Sequence, residues 1–235
     1  MVLVKKFPID KNLTGNKLQE HIFWEVHQFA ISPIEEYIID FEQLNSNSSE
    51  SLGYMLVVVV RKTIVQFLKE IFKHTSLQLQ VVDVDIFSAQ RALQINYDYG
   101  HRDRIGLIDV EEKKIHFSIL EGENYFLSQD VIFPVNSSHL HEEESVTHLI
   151  SKELRRIILD HQLGKRVEDL DEIFLYGEAV EDSILEGLQN THDIRIDRAN
   201  PFRRIKLVSQ AKDAVAKTRT ERFMISVGAA LRGIQ

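Results

Sequence analysis

The sequence predicts an α/β fold, because strand-like and helix-like patterns alternate along its 235 residues. Tyr54 to Val60 is a β-branched run typical of a buried strand. Val146 to Ile158 instead repeats apolar residues at helical spacing. Between them, residues 105–122 form two strand patterns around a short charged turn. Strands that alternate with helices predict a sheet covered by helices.

The composition is that of a soluble globular protein, with 43% hydrophobic and 27% charged residues. Cysteine is absent, which excludes disulfides and Cys-ligated zinc. The net charge of -8 argues against a nucleic-acid partner, since such proteins need a basic face. The longest apolar run, Met55 to Val60, is too short to span a bilayer. We therefore expect a cytoplasmic protein with no membrane span.

The first segment, residues 1–98, is predicted to be a small α/β subdomain. Helices are expected after a capping box at Asn16 and Gln19, from Thr63, and from Ser88 to Leu93. Four strands are expected. They are Val2 to Phe7, Tyr37 to Leu44, Tyr54 to Val60 and Leu79 to Val84.

A turn at Tyr99 to Asp103 marks the candidate domain boundary, and residues 104–235 are predicted to form a second α/β subdomain. A strand at Glu172 to Tyr176 ends at Gly177, where a turn with positive φ is expected. Ala211 to Thr218 is polar and is expected to be mobile. Thr220 is the predicted cap of a last helix.

Several segments, taken together and in order, resemble the PilM-type family, the actin-like proteins of type IV pilus assembly. The resemblance covers almost the whole chain. Its residues are Ile22-Phe23-Trp24-Glu25, Val60-Arg61-Lys62, Val82-Asp83-Val84-Asp85, Ala89-Gln90-Arg91-Ala92-Leu93, Glu153-Leu154-Arg155-Arg156, Phe174-Leu175-Tyr176-Gly177, Asn200-Pro201-Phe202 and Ser226-Val227-Gly228-Ala229-Ala230-Leu231-Arg232. The resemblance implies an actin-like (ribonuclease H-like) ATPase fold. It implies an incomplete one, with an inserted small α/β subdomain at the N-terminus.

The nucleotide loops depart from the family's pattern. The family's first phosphate hairpin has no counterpart in this chain, and the second phosphate loop reads Asp109-Val110-Glu111-Glu112 instead of Asp-Ile-Gly with small hydroxyl residues. At the adenosine loop, where the family has paired glycines, only Gly177 stands. Carboxylates near a triphosphate disfavour binding at close range. Asp109 and Gly177 are therefore interpreted as a vestigial nucleotide site, with no cofactor expected and no catalytic residue assigned.

The resemblance also implies a protein partner, the cytoplasmic tail of an inner-membrane protein, which would hold this protein at the membrane periphery. In the family the tail lies in a groove that involves the inserted subdomain. The candidate partner-binding residues are Phe23, Trp24, His27, Tyr37 and Ile39. The favoured interpretation is a nucleotide-independent scaffold. Two alternatives stay open: an actin-like ATPase that binds ATP and Mg²⁺ in a site completed by a second chain, and a homodimer with structural duties.

A metal site is one interpretation of His139 and His141, which Glu142 to Glu144 follow. In an extended segment, a His-x-His pair places both imidazoles on one face. Because the sequence supplies no remote third ligand, a solvated acidic loop is favoured and no metal is assigned.

Overall fold

A computed structural model describes residues 2–44, 52–100, 103–132 and 143–233. The chain divides into two compact units, Met1–Val84 and Asp85–Gln235. This division falls before the helix that contains Ala89, whereas the sequence placed the boundary after it. The reason is that this helix packs within the second unit: Asn96 at its end donates to the Pro201 carbonyl at 2.8 Å.

Unit 1 contains a three-stranded antiparallel sheet in the order β1-β3-β2. Its elements are β1 Val2–Asp10, α1 Gly15–His27, β2 Tyr37–Leu44, β3 Leu52–Arg61 and α2 Lys62–Lys73. The strands Tyr37 to Leu44 and Tyr54 to Val60 are thereby confirmed. Helix α1 follows Thr14, whose side chain makes no capping hydrogen bond, so the predicted capping box at Asn16 and Gln19 is wrong.

The core of unit 1 lies between α1 and one face of the sheet. Ile22 and Val26 from the helix are fully buried there, and so are Val57 and Val59 from the central strand. Alternate residues of β2, among them Tyr37, pack against the same cluster. The other face of the sheet is less enclosed, since Val58 and Val60 are only half-buried. The sequence predicted a central strand buried on both faces, but only one face of β3 is fully buried.

The predicted strand Leu79 to Val84 is wrong: residues 77–84 form neither helix nor strand. A strand exists only where a neighbouring strand accepts its ladder of hydrogen bonds. In unit 1 the described strands pair only with one another.

Unit 2 is built on a five-stranded sheet in the order β6-β5-β4-β7-β8. Its strands are β4 Arg104–Val110, β5 Lys114–Glu121, β6 Asn124–Ile132, β7 Glu172–Tyr176 and β8 Arg195–Arg198. Its helices are α3 Asp85–Asn96, α4 Glu143–Asp160, α5 Asp182–Thr191, α6 Ser209–Ala216 and α7 Met224–Leu231. The first three strands pair antiparallel, while β4, β7 and β8 run parallel. The predicted hairpin at 105–122 is confirmed.

Helices cover both faces of this sheet. On one face, Ile108 and Val110 of β4 join a core cluster with Ile150 and Leu154 of α4. On the other, Tyr97 at the end of α3 packs on Phe174 of β7, with ring centroids 4.6 Å apart. Both faces being closed explains why nearly all of β4 is buried.

One C-terminal expectation needs correction. Thr220 opens a 3-10 turn at Thr220–Phe223, and α7 begins only after Phe223. A threonine at the start of a turn looks the same in sequence as one at the start of an α-helix. Residues 209–216 form helix α6, which the sequence did not predict.

Candidate ligand and partner sites

A row of four polar side chains crosses the sheet of unit 2 on the face of α3. Strand register places Asp109 opposite His116 and also opposite Tyr176, and it places His116 opposite Asp130. Directly opposed residues project to the same face of a sheet. We call Tyr176, Asp109, His116 and Asp130 the polar row.

Asp109 is the buried carboxylate of this row, with 3% of its surface exposed. Desolvation on burial, reinforced by the nearby Glu111, raises the pKa of Asp109 to about 7, although His116 and Lys114 partly oppose this. A carboxyl with such a pKa exchanges its proton near neutral pH. Asp109 therefore binds a proton much more readily than an exposed aspartate does.

The two end residues of the polar row, Asp130 and Tyr176, differ in their hydrogen bonding. His116 Nδ1 lies 2.5 Å from Asp130 Oδ1, and this hydrogen bond lowers the pKa of Asp130. The Tyr176 hydroxyl is buried without a hydrogen-bond partner among the described residues, and burial raises its pKa. The row thus holds a charged end at Asp130 and an uncharged end at Tyr176.

Gly177 lies directly against Asp109. Its φ of +109° is rarely adopted by residues with a side chain. A β-carbon at this position would lie 2.2 Å from Asp109 Oδ1 and 2.6 Å from the Val110 carbonyl oxygen. The predicted positive φ is confirmed, and the structure brings together the two residues that the sequence assigned to a vestigial nucleotide site.

The loop after Gly177 is held by backbone contacts. Its Ala179 N–H donates to the Val110 carbonyl at 3.0 Å. The Arg222 guanidinium donates to the Glu178 carbonyl at 3.1 Å. The first of these hydrogen bonds attaches the strand-to-helix turn to β4, and the second attaches it to Arg222.

The charged turn after Asp109 closes on itself. Glu111 N–H donates to the Lys114 carbonyl at 3.0 Å, and the two side chains form an ion pair at 3.3 Å. Backbone N–H groups cradle phosphates in turns where glycine permits close approach. This turn contains no glycine and offers two carboxylates. Its residues do not fit a triphosphate held in that way.

No metal site emerges in the described part of the chain, where no group of three or more His, Asp or Glu side chains is placed to hold an ion. The candidate pair His139 and His141 lies outside the described residues.

The predicted partner-binding residues of unit 1 separate onto two flanks of α1. His21 contacts Phe7 of β1, with ring centroids 6.4 Å apart, and Trp24 stacks on His21 at 6.2 Å. Trp24 therefore lies on the β1 flank. Because successive helical residues are about 100° apart, Phe23 and His27 fall on the other flank of α1, away from His21 and β1.

The two edges of the unit 1 sheet differ in charge. Residues 34–44, which lead into and form β2, include Glu35, Glu36, Asp40 and Glu42 and no basic residue. Strand β1, by contrast, carries Lys5 and Lys6 together with Pro8. Proline and lysine protect an edge strand from pairing, and β2 has neither.

Along β2, Tyr37 and Ile39 face the core and Ile38 projects from the opposite face with 40% of its surface exposed. The outer edge of β2 pairs with no described strand of unit 1. An extended segment could add there as a further strand. Tyr37 and Ile39 would then support such a strand mainly through their backbone groups.

Known proteins resemble this chain in sequence and in fold. The family described as "Type IV pilus assembly protein PilM" matches residues 1–136, more than half of the chain. This chain belongs to the PilM family. Among curated proteins, no sequence matches it.

One solved structure shares the fold over the whole chain, and a second is a weaker match. A structure titled "PilM-PilN type IV pilus biogenesis complex" is 16% identical to this chain, with a TM-score of 0.80. The match covers all of this chain and 77% of the chain in that structure. A Bacteroides thetaiotaomicron protein with an actin-like ATPase fold is also 16% identical, with 83% of this chain and 65% of that chain covered and a TM-score of 0.45. The fold of this chain is that of the PilM-PilN structure, as the resemblance to the PilM-type family implied. Within the described residues, no helix combines the length and apolarity needed to cross a bilayer.

Sequence reasoning did not single out His116, Asp130 or the acidic edge of β2. His116 could have been found from the hairpin: with a turn at Glu111 to Lys114, equal steps outward pair Asp109 with His116. The charge contrast between Lys5-Lys6 and the acids near Tyr37 is visible in the sequence but gains meaning only once β1 and β2 are known as opposite edges.

Proposed function

We propose that this PilM-family protein is a nucleotide-independent scaffold of type IV pilus assembly. Unit 1 would hold the cytoplasmic tail of an inner-membrane protein. The solved relative is described as a complex with PilN, which makes a PilN-type protein the first candidate partner.

The single observation that carries the nucleotide-independent role is the closed turn at Glu111 to Lys114. Its hydrogen bond and ion pair occupy the turn where the family would hold phosphate. Asp109 beside it is shielded from water. Bringing a triphosphate there would add negative charge next to two carboxylates at low effective dielectric.

The tail site is best supported at the outer edge of β2. Cytoplasmic segments next to a membrane span carry an excess of Lys and Arg. The acidic stretch at Glu35 to Glu42 complements such a tail, and the unprotected β2 edge offers it backbone hydrogen bonds. Phe23 and His27, on the flank of α1 away from β1, are the helix residues that we expect nearest this edge.

Two variants of α1 test this placement. A labelled peptide that copies the cytoplasmic segment of the organism's PilN-type protein is titrated with the whole chain. Phe23→Ala should weaken binding at least about tenfold if it is an anchor at the β2 flank. Trp24→Ala is the matched control, because it removes a neighbouring exposed aromatic on the β1 flank, and it should leave affinity unchanged. The reverse order of effects would reject the β2 edge.

Nucleotide is tested separately by calorimetric titration with ATP and Mg²⁺. No saturable heat up to about millimolar nucleotide is expected, whereas a micromolar affinity would correspond to about -8 kcal/mol. Saturable micromolar binding that is lost in Asp109→Ala would overturn the nucleotide-independent role. It would leave the tail site untouched.

The second candidate is an actin-like ATP-binding protein whose site is completed by another chain. The contact between Asp109 and Gly177 favours it, since both residues assigned to the nucleotide site lie together. It requires binding that appears only when a second polypeptide is present. The same titration, repeated with the tail peptide added, distinguishes this case from the first.

A further inference from the structure

Residues 75–82 form a stretch of unit 1 that has the sequence of a strand and no strand structure. Leu77, Leu79 and Val81 alternate with glutamines, and no charged side chain occurs between His74 and Asp83. Such alternation is typical of a half-buried strand. Yet Leu77 is 65% exposed and Val81 52% exposed.

The helix before this stretch has an equally open apolar face. In α2, Ile64, Phe67, Leu68 and Ile71 recur at helical spacing, and none of them is buried. Phe67 is 65% exposed. The lysines of the helix lie toward its other side, as the same spacing requires.

A turn joins the two apolar stretches. The Thr75 hydroxyl donates to the Phe72 carbonyl at 2.8 Å and accepts from the Leu77 N–H at 3.2 Å. A helix joined to a strand by so short a connection normally packs on the sheet that contains the strand. In unit 1, residues 78–82 pair with no described strand, so this layer lacks its sheet.

We propose that residues 77–82 pair with the same segment of a second copy of this chain. The two segments form an antiparallel ladder, and the α2 faces of both copies pack beside it. An antiparallel pair of identical strands is related by a two-fold axis, so each copy satisfies the other's N–H and C=O groups. This surface is separate from the β2 edge and does not depend on tail binding.

The chemistry of the stretch favours a second copy. Because residues 75–82 are uncharged, self-pairing opposes no like charges, which would otherwise destabilise a ladder. The stretch has neither the proline nor the lysines that protect β1. An apolar helix face such as that of Phe67 and Ile71 also favours burial against another protein surface.

The first measurement is the mass of the whole chain by light scattering, from about 1 to about 100 µM, the range in which a weak dimer dissociates. The mass is expected to rise from 27.3 kDa to twice that value. Amides of residues 78–82 should gain protection from hydrogen exchange over the same concentration range. A chain that stays monomeric throughout would overturn the proposal.

Three variants localise the interface. Val81→Lys places like charges in the ladder and Phe67→Ser removes apolar surface, and each should raise the dimer dissociation constant at least about tenfold. Ile132→Ser is the control: Ile132 is 74% exposed at the end of β6, an edge strand of unit 2. It should leave the dimer intact. A dimer that survives the first two variants, or is lost with Ile132→Ser, would contradict the assignment.

Two further readouts separate a lost interface from misfolding and from lipid binding. At a concentration where the parent is monomeric, circular dichroism melting of Val81→Lys and Phe67→Ser should match the parent, since both side chains are exposed. Vesicles with anionic lipid provide the remaining comparison. If they bind the monomer through α2 without protecting residues 78–82, the apolar face is a lipid surface and the dimer proposal is wrong.

Discussion

Unit 2 buries the carboxylate of Asp109, whereas unit 1 exposes the carboxylates of β2. Asp109 is almost fully buried, and its burial raises its pKa to about 7. Asp40 and Glu42 stand exposed along β2. A buried carboxylate makes stability depend on pH, while exposed carboxylates act at a distance on a charged partner and are screened by salt. The same residue type is thus buried in one unit and, under the proposed tail site, available for recognition in the other.

The largest expected effect concerns the buried contact between Gly177 and Asp109 in unit 2. Gly177→Ala forces a β-carbon onto a carboxylate and a backbone carbonyl at a φ of +109°. We expect a loss of about 3 kcal/mol in the free energy of unfolding, measured by urea denaturation.

Gly15→Ala is the matched control for that substitution. Gly15 also has a positive φ, of +57°, but no atom within 4 Å of the added carbon. Only the backbone cost remains, about 1 kcal/mol. Equal losses in the two variants would mean that Asp109 does not press against Gly177.

The second effect concerns the pH dependence of unit 2. The pKa of Asp109 in the folded protein is about 7, above its ordinary value of 3.8. The stability that its bound proton provides is therefore complete below about pH 4 and falls as the pH rises to about 7. Asp109→Asn should abolish this decline and raise the free energy of unfolding at pH 8 by about 2 kcal/mol.

Urea unfolding at several pH values from 4 to 8 checks this expectation. Asp130→Asn provides a contrast of opposite sign. Because the hydrogen bond from His116 lowers the pKa of Asp130, its contribution is lost as the pH falls. Parallel pH profiles for the parent and Asp109→Asn would contradict the enclosed state of Asp109.

The smallest expected effect concerns the exposed carboxylates of β2 in unit 1. Reversing Asp40 and Glu42 to lysine should weaken binding of a basic tail by about 0.5 to 1 kcal/mol for each charge, mainly at low salt. Fluorescence titration at two salt concentrations measures it. Reversing Lys5 and Lys6 to glutamate on β1 should leave affinity nearly unchanged. A comparable loss of affinity there would contradict the placement of the tail at the β2 edge.

Much of the fold could be read from the sequence because local patterns and tertiary neighbours agree. The hairpin at 105–122 has alternating apolar residues on both sides of a polar turn, and both of its strands find partners. Residues 79–84 have an equally good pattern and fail, because a strand depends on a neighbour that local sequence does not reveal. Helix α6 was missed for the opposite reason, since Val215 is the only apolar residue larger than alanine among its eight residues.

The site could be predicted only in part. The proximity of Asp109 and Gly177 followed from the family's loops. The other members of the polar row depend on the register of three strands. On α1, Phe23 and Trp24 are adjacent in sequence, which grouped them as one surface, but the 100° step of a helix sends them to different flanks.

The contact between Asp109 and Gly177 also bears on how sequences in this family are read. A glycine retained at this turn looks like a relic of ligand binding. Here the carboxylate and the carbonyl next to it leave no room for any larger residue. Steric exclusion alone would preserve Gly177 through any number of generations, so its presence in a homologue is no guide to whether that homologue hydrolyses anything.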